Sequence, residues 1–184
     1  MGSHLLLVAP PPLEMIRKDP VLEAYQREIT YVFHALRWLG ALPHEVEDLA
    51  QEVFIALRRS WSHYDSSRPI RPYLFGVAFR VVSMQRRKRK REVAFAHLEV
   101  QAGWPDPDEV IQAKQARAMV LQALEAVPLR RRAVLVMHDL NDVPMGQVAA
   151  ALSIPLFTAY SRLRKARTEL ESAIRKIARV TSER

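Results

Sequence analysis

A chain of 184 residues holds one ordinary domain or two small ones, and 49% hydrophobic against 26% charged residues supplies enough apolar material for real cores, which excludes global disorder. Only five glycines beside long Ala/Leu/Glu/Arg stretches exclude a many-stranded sandwich, a barrel or a glycine-rich nucleotide fold. The 28 basic residues outnumber 20 acidic ones for a net charge of +8, which suits an anionic partner, nucleic acid first.

At the N-terminus, Met1-Gly2-Ser3-His4 reads as a cloning remnant. The apolar run Leu5 to Ala9 is too short to span a membrane, and no basic segment precedes it as in a secretory signal. Pro10-Pro11-Pro12 blocks helix formation there, so residues 1–14 are assigned to a disordered tail or remnant. A cytoplasmic protein without membrane insertion is expected.

From about Pro20 to Glu92 apolar residues recur at helical spacing, with breaks at Gly40 to Pro43 and Ser60 to Pro72, which predicts at least three helices. The middle one, about Pro43 to Arg59, sets Val46, Leu49, Val53 and Leu57 on one stripe and leaves Asp48, Gln51, Glu52 and Ile55 off it. The segment Tyr64 to Pro72 reads as a loop flanked by Trp61, Tyr73, Phe75 and Phe79. Aromatic and basic groups at a loop can hold unpaired bases, and core aromatics beneath an ordinary loop are the commoner arrangement. The third helix, from about Pro72, ends in six consecutive cations, Arg86-Arg87-Lys88-Arg89-Lys90-Arg91. Their mutual repulsion suits phosphate contact, the alternative being a solvated helix end favoured by the dipole.

Periodicity fails between Phe95 and Asp108, where Gly103-Trp104-Pro105-Asp106-Pro107-Asp108 carries two prolines. The expected organisation is therefore a first helical domain at 15–94, a flexible linker at 95–112 and a second helical domain at 113–184. Helical spacing resumes with Val110, Ala113, Arg117, Val120, Leu121 and Leu124, and Pro128 closes that segment. Before residue 101 there are 15 basic and 11 acidic residues, and after it 13 and 9, so both halves can touch a polyanion.

Met145 to Leu152, a turn at Ser153-Ile154, and Pro155 to Leu170 have helix-turn-helix spacing, with Ser153 a candidate cap. Ala159, Leu163, Ala166 and Leu170 should face the core. The other face carries Thr158, Ser161, Arg162, Arg164, Lys165 and Arg167, donors suited to guanine edges and phosphates, with no carboxylate among them. A basic amphipathic helix is also often a solvated face. The expected fold is all-α: two small helical domains, the C-terminal one a helix-turn-helix.

No converging catalytic set is present. Without cysteine the chain has no disulfides, thiolate zinc sites or cysteine nucleophiles, and His34, His44, His63, His97 and His138 are scattered. The acidic pairs Glu45/Glu47 and Asp106/Asp108 sit at a helix start and in the linker. No enzyme activity, cofactor or metal is expected.

Three segments together resemble the bacterial sigma factors of the extracytoplasmic-function group of the sigma-70 family. Asp48-Leu49-Ala50-Gln51-Glu52-Val53-Phe54 is similar to the family's acidic-Leu-x-Gln-Glu helix. Pro72-Tyr73-Leu74-Phe75-Gly76-Val77-Ala78-Phe79-Arg80 with the basic run resembles its aromatic segment before an arginine-rich helix end. Leu124 to Arg132, Gln147-Val148-Ala149 and Ser161-Arg162-Leu163-Arg164-Lys165-Ala166-Arg167 resemble its region-four helix-turn-helix.

The resemblance implies an alternative sigma factor that binds core RNA polymerase and recognises minus-10 and minus-35 promoter elements, with an anti-sigma factor as a further partner. Asp48, Gln51 and Glu52 would face polymerase. Tyr64, Asp65, Ser66, Ser67, Arg68, Ile70 and Arg80 would hold a flipped minus-10 base, with Arg86, Arg87 and Lys88 on adjoining DNA. Thr158, Tyr160, Ser161, Arg162, Arg164 and Lys165 would serve the minus-35 element, Arg162, like Arg167, by gripping phosphate or supporting the fold. Three positions depart from the family pattern: Arg80 replaces an asparagine, Phe157 stands where backbone comes close to DNA, and Gln147 replaces a common glutamate. The alternative is a stand-alone helix-turn-helix regulator that binds duplex DNA as a dimer.

Overall fold

The computed structural model of the protein describes residues 19–92 and 111–182, so the expected tail and residues 95–110 of the expected linker lie outside the described residues. Seven α-helices and no strand are present among the described residues, the all-α fold that composition indicated.

Helix α1 (Pro20–Trp38) starts where Asp19 accepts a hydrogen bond from the Val21 amide at 2.9 Å, with Pro20 in the first turn needing no amide partner. It ends in a left-handed turn at Gly40, φ 84°, where Gly40 N–H bonds Arg37 O and Ala41 N–H bonds Leu36 O, the pattern that satisfies the last carbonyls of a helix. A short 3-10 turn, Pro43–Glu45, leads into α2 (Val46–Ser60), and the Glu45 carboxylate reaches back to the Leu42 amide at 3.2 Å. The predicted stripe Val46, Leu49, Val53 and Leu57 is buried. After a second 3-10 turn, Trp61–His63, α3 runs from Ile70 to Glu92. It begins two residues before the expected Pro72, because a proline is tolerated within a first turn.

These three helices pack on one another around Leu36, Leu57, Leu74 and Phe75, all fully buried, each burial contributing about 1.5–3 kcal/mol. Tyr25 bridges α1 and α2, stacking on Phe54 at 4.8 Å and donating to Ala50 O at 2.7 Å, and burial pushes its hydroxyl up to about 12.

In the second half, α4 (Ile111–Glu125) is followed by α5 (Leu129–Leu135), whose last turn, Val136–Leu140, widens to π-type bonding, with Asn141 N–H reaching Val136 O. Then come α6 (Met145–Ala151) and the long α7 (Leu156–Ser182). Ala159, Leu163 and Ala166 are buried and Leu170 is half-buried, as the spacing indicated. Ser153 is not a cap: with φ 53° it occupies the left-handed position of the turn, and its amide bonds Ala150 O at the end of α6. Beyond Leu170, α7 continues to Ser182, the chain holding no proline or glycine there to stop it.

The two halves pack against each other, α3 on α6 and α1 on α4, within one continuous buried cluster. Gly76 makes that approach possible: a β-carbon there would lie 2.5 Å from the carbonyl oxygen of Ala151. Asn141 of the second half donates to the Tyr31 hydroxyl of the first at 3.3 Å, and the buried guanidinium of Arg132 abuts Gly40. This closed arrangement brings the basic end of α3 beside the first turns of α7.

Candidate nucleic-acid interface

On α2 the residues off the buried stripe point outward. Asp48, Gln51 and Glu52 are all exposed, and Ile55, one turn further on, is 48% exposed. Acidic groups in the first turn suit the positive end of the helix dipole, and the exposed isoleucine gives the acidic face an apolar edge. Helical spacing alone sets Ile55 off the stripe, but nothing in sequence distinguishes it as part of a surface.

The loop between α2 and α3 is built by its own side chains. Tyr64 lies between Trp61 and Tyr73, with centroids 5.1 and 5.0 Å away, and donates to Arg68 O at 2.6 Å. Asp65 accepts from the Ser67 amide and hydroxyl and pairs with Arg68 at 3.2 Å; the bonds from Ser67 come first in holding its carboxyl below the usual carboxylate range. Ser66, Ser67 and Arg68 are exposed and Ile70 half-buried. Of the flanking aromatics, Phe75 belongs to the core, whereas Tyr64 and Tyr73 form a partly exposed stack. Arg80 is exposed, about 15 Å along α3 from Ile70.

The six-cation run is not uniform. Arg86 turns inward and donates to Leu39 O and Gly40 O at 3.1 and 3.2 Å, at the negative end of α1. Burial, and then the neighbouring Arg89, hold its pKa below the usual arginine range. Arg89 pairs with Glu45 at 2.6 Å. Arg87 and Lys88 remain exposed. Arg86 is thus committed to the fold before any DNA arrives, because the carbonyls ending α1 lie within its reach.

On α7, Tyr160, Arg164 and Lys165 are exposed, while Thr158, Ser161 and Arg162 are half-buried beneath the first half. Phe157 is 83% exposed. Arg167 supports the fold: it holds Asp139 bidentately at 2.8 and 2.7 Å, tying α7 to the end of α5. Arg131 likewise grips Glu169. A cavity of about 520 Å³ between α3 and α7 is lined by Arg86 and Arg87 from one side and by Thr158, Ser161, Arg162 and Lys165 from the other. Arg130, at the start of α5, lines it as well; the triplet Arg130-Arg131-Arg132 is visible in the chain, but nothing local separates its three members. Among the described residues no group of His, Asp or Glu is arranged to hold a metal.

These features define an all-helical, two-part protein with a helix-turn-helix, a basic face on each part and a separate acidic face. Residues 22–92 match the family model Sigma-70 region 2 and residues 117–170 match Sigma-70, region 4. The RNA polymerase sigma factor NccH of Alcaligenes xylosoxydans xylosoxydans is 24% identical over 155 residues, 81% of this chain and 83% of that protein. The ECF RNA polymerase sigma factor SigL of Mycobacterium tuberculosis (strain Erdman) is 31% identical over 137 residues, 71% of this chain and 74% of that one. The sigma factor RpoE, solved in complex with the anti-sigma factor NepR from Bartonella quintana, shares the fold at TM-score 0.66 and 21% identity, over 83% of this chain and 98% of that one.

The chain belongs to the sigma-70 family, in its extracytoplasmic-function group, and directs promoter-specific transcription initiation through RNA polymerase. With both sigma regions present in order, a stand-alone duplex-binding regulator is not favoured.

Proposed function

We propose that three surfaces of this chain divide the work of initiation. Asp48, Gln51 and Glu52, with Ile55 one turn further on, dock on core polymerase. The Tyr64 to Ile70 loop holds an unpaired minus-10 base, with Arg80, Arg87 and Lys88 on the strand beyond it. The face of α7 formed by Thr158, Tyr160, Ser161, Arg164 and Lys165 reads the minus-35 element, with Arg162 on phosphate. The observation that carries this reading is the presence of both sigma regions, in order, on one chain whose acidic and basic faces are separate.

Elements 25 positions apart are about 85 Å apart along B-form DNA, whereas Arg87 and the α7 readers line one cleft. The two halves must therefore separate when polymerase positions them on a promoter. The chain itself performs no chemistry on this reading, and polymerase supplies all of it. RpoE is seen with an anti-sigma factor, and a protein of that kind is the partner expected to hold this chain inactive. No helix among the described residues is long and apolar enough to cross a membrane, which supports a cytoplasmic place of action.

The test is co-elution with bacterial core polymerase and transcription from a fragmented genomic library. Glu52→Lys should abolish co-elution and promoter-specific starts while the helical circular dichroism stays unchanged. Undiminished co-elution of Glu52→Lys would overturn the docking assignment.

A further inference from the structure

The cleft closed by the two halves gathers positive charge. Arg87, Arg130, Arg162 and Lys165 line it, and none of the four side chains makes a hydrogen bond or ion pair with a described residue. Among the described residues no carboxylate lines this cavity or the adjoining one of about 440 Å³, where Arg80 joins Arg87, Arg130 and Arg162. Elsewhere the described arginines are commonly matched to carboxylates: Arg58 to Asp19, Arg71 to Glu28, Arg89 to Glu45, Arg131 to Glu169 and Arg167 to Asp139. Burial, and then the Arg130 cation of the same half, hold Arg162 below the usual arginine range, and closure adds Arg87 of α3 to that cluster.

A cavity of about 520 Å³ falls in the size range of small-molecule sites, and its walls belong to different halves of the chain. Ser83 from α3 and Thr158 and Ser161 from α7 add hydroxyls, and the amide end of the 27-residue α7 opens onto the same space. Phe157 stands at the edge with its ring bare to solvent.

We propose that this cleft is a binding site for a compact polyphosphate anion, a chain of three or more phosphates either free or carried by a nucleotide, taken up only while the two halves are closed. The anion relieves the repulsion among the four cations and bridges the halves. It therefore shifts the population toward the closed form, by as much as its affinities for the closed and open forms differ. This goes beyond the promoter-reading assignment and rests on it only for the consequence: the anion occupies residues that DNA would use, so the two exclude each other.

The experiment uses the full chain and needs neither polymerase nor promoter, so its failure is distinguishable from failure of the sigma assignment. Tripolyphosphate, ATP and inorganic phosphate are titrated calorimetrically at constant ionic strength. Because the chain has no cysteine, Arg59→Cys and Ser172→Cys, both exposed, accept a fluorescent pair that reports closure. Tripolyphosphate should bind at least about tenfold more tightly than inorganic phosphate and raise energy transfer.

Arg130→Glu puts a carboxylate in the cleft, and Gly76→Leu wedges the halves apart with every cation retained. Each should weaken tripolyphosphate binding by about tenfold or more. Tighter binding of ATP that Phe157→Ala removes would identify the carried, nucleotide form, and equal binding the free one. Binding matched by sodium chloride at the same ionic strength would overturn the proposal, as would wild-type affinity in Arg130→Glu. Wild-type affinity in Gly76→Leu would refute dependence on closure. Should Gly76→Leu fail to fold, the surface variant Arg130→Glu decides alone.

Discussion

Arginines in this chain fall into two populations that residue type alone does not separate. Arg167 and Arg164 sit three residues apart on α7, yet Arg167 clasps Asp139 and Arg164 faces solvent. The Arg167 hydrogen bonds are the main cause holding the Asp139 carboxyl below the usual carboxylate range. A depressed carboxylate pKa contributes stability that is complete above the unfolded value, about pH 4, and is lost as pH falls through the lower folded value. Arg167→Met should thus cost about 0.5–1 kcal/mol near neutral pH, the arginine being largely exposed and the pair screened. By about pH 3 the difference in urea midpoint between the two proteins should narrow. A constant difference would assign the effect to poorer packing instead.

At the scale of elements, the helix-turn-helix depends on one backbone conformation. Ser153 at φ 53° lets α7 leave α6 in the direction that buries Ala159 and Leu163 against the second-half core. A β-branched side chain is strained in that region, whereas glycine enters it freely. Ser153→Val should lower stability by about 1–2 kcal/mol, and Ser153→Gly should remain within about 0.5 kcal/mol of wild type, in chemical unfolding followed by circular dichroism. Equal melts for the two variants would show that the turn tolerates either conformation. The helices themselves were legible in sequence, since the stripes Val46 to Leu57 and Ala159 to Ala166 are buried as spacing indicates. The sign of φ at Ser153 was not, because serine is common both as a cap and in turns and only the packing of α6 on α7 selects between them.

For the whole molecule the distribution of charge matters more than its sum. Of the basic run, Arg86 and Arg89 are held by carbonyls and a carboxylate, leaving Arg87 and Lys88 exposed among the residues whose side chains are described. Replacing Arg87 and Lys88 with glutamine should reduce the salt slope of open-complex formation by about two, one for each phosphate no longer neutralised. The same change at Arg86 and Arg89 should lower thermal stability and leave the slope nearly as it was. A slope that falls equally for both pairs would show that Arg86 and Arg89 leave their partners to reach DNA.

Fold class, the positions of the helices, the acidic positions off the buried stripe and the sigma-like segments were all readable in the chain, because apolar periodicity and charge type are local properties. Asp48, Gln51 and Glu52 were marked by lying off a stripe, and exposure follows from that. Tertiary structure alone decided which cations are spent on the fold, since Arg86 meets the end of α1 across 46 residues and Arg167 meets Asp139 across 28. It also decided that Gly76 is a point of close approach between the halves and that their basic faces close on one cleft. Such pairings depend on which distant groups the chain brings within hydrogen-bond reach, and no periodicity along a single helix encodes that distance.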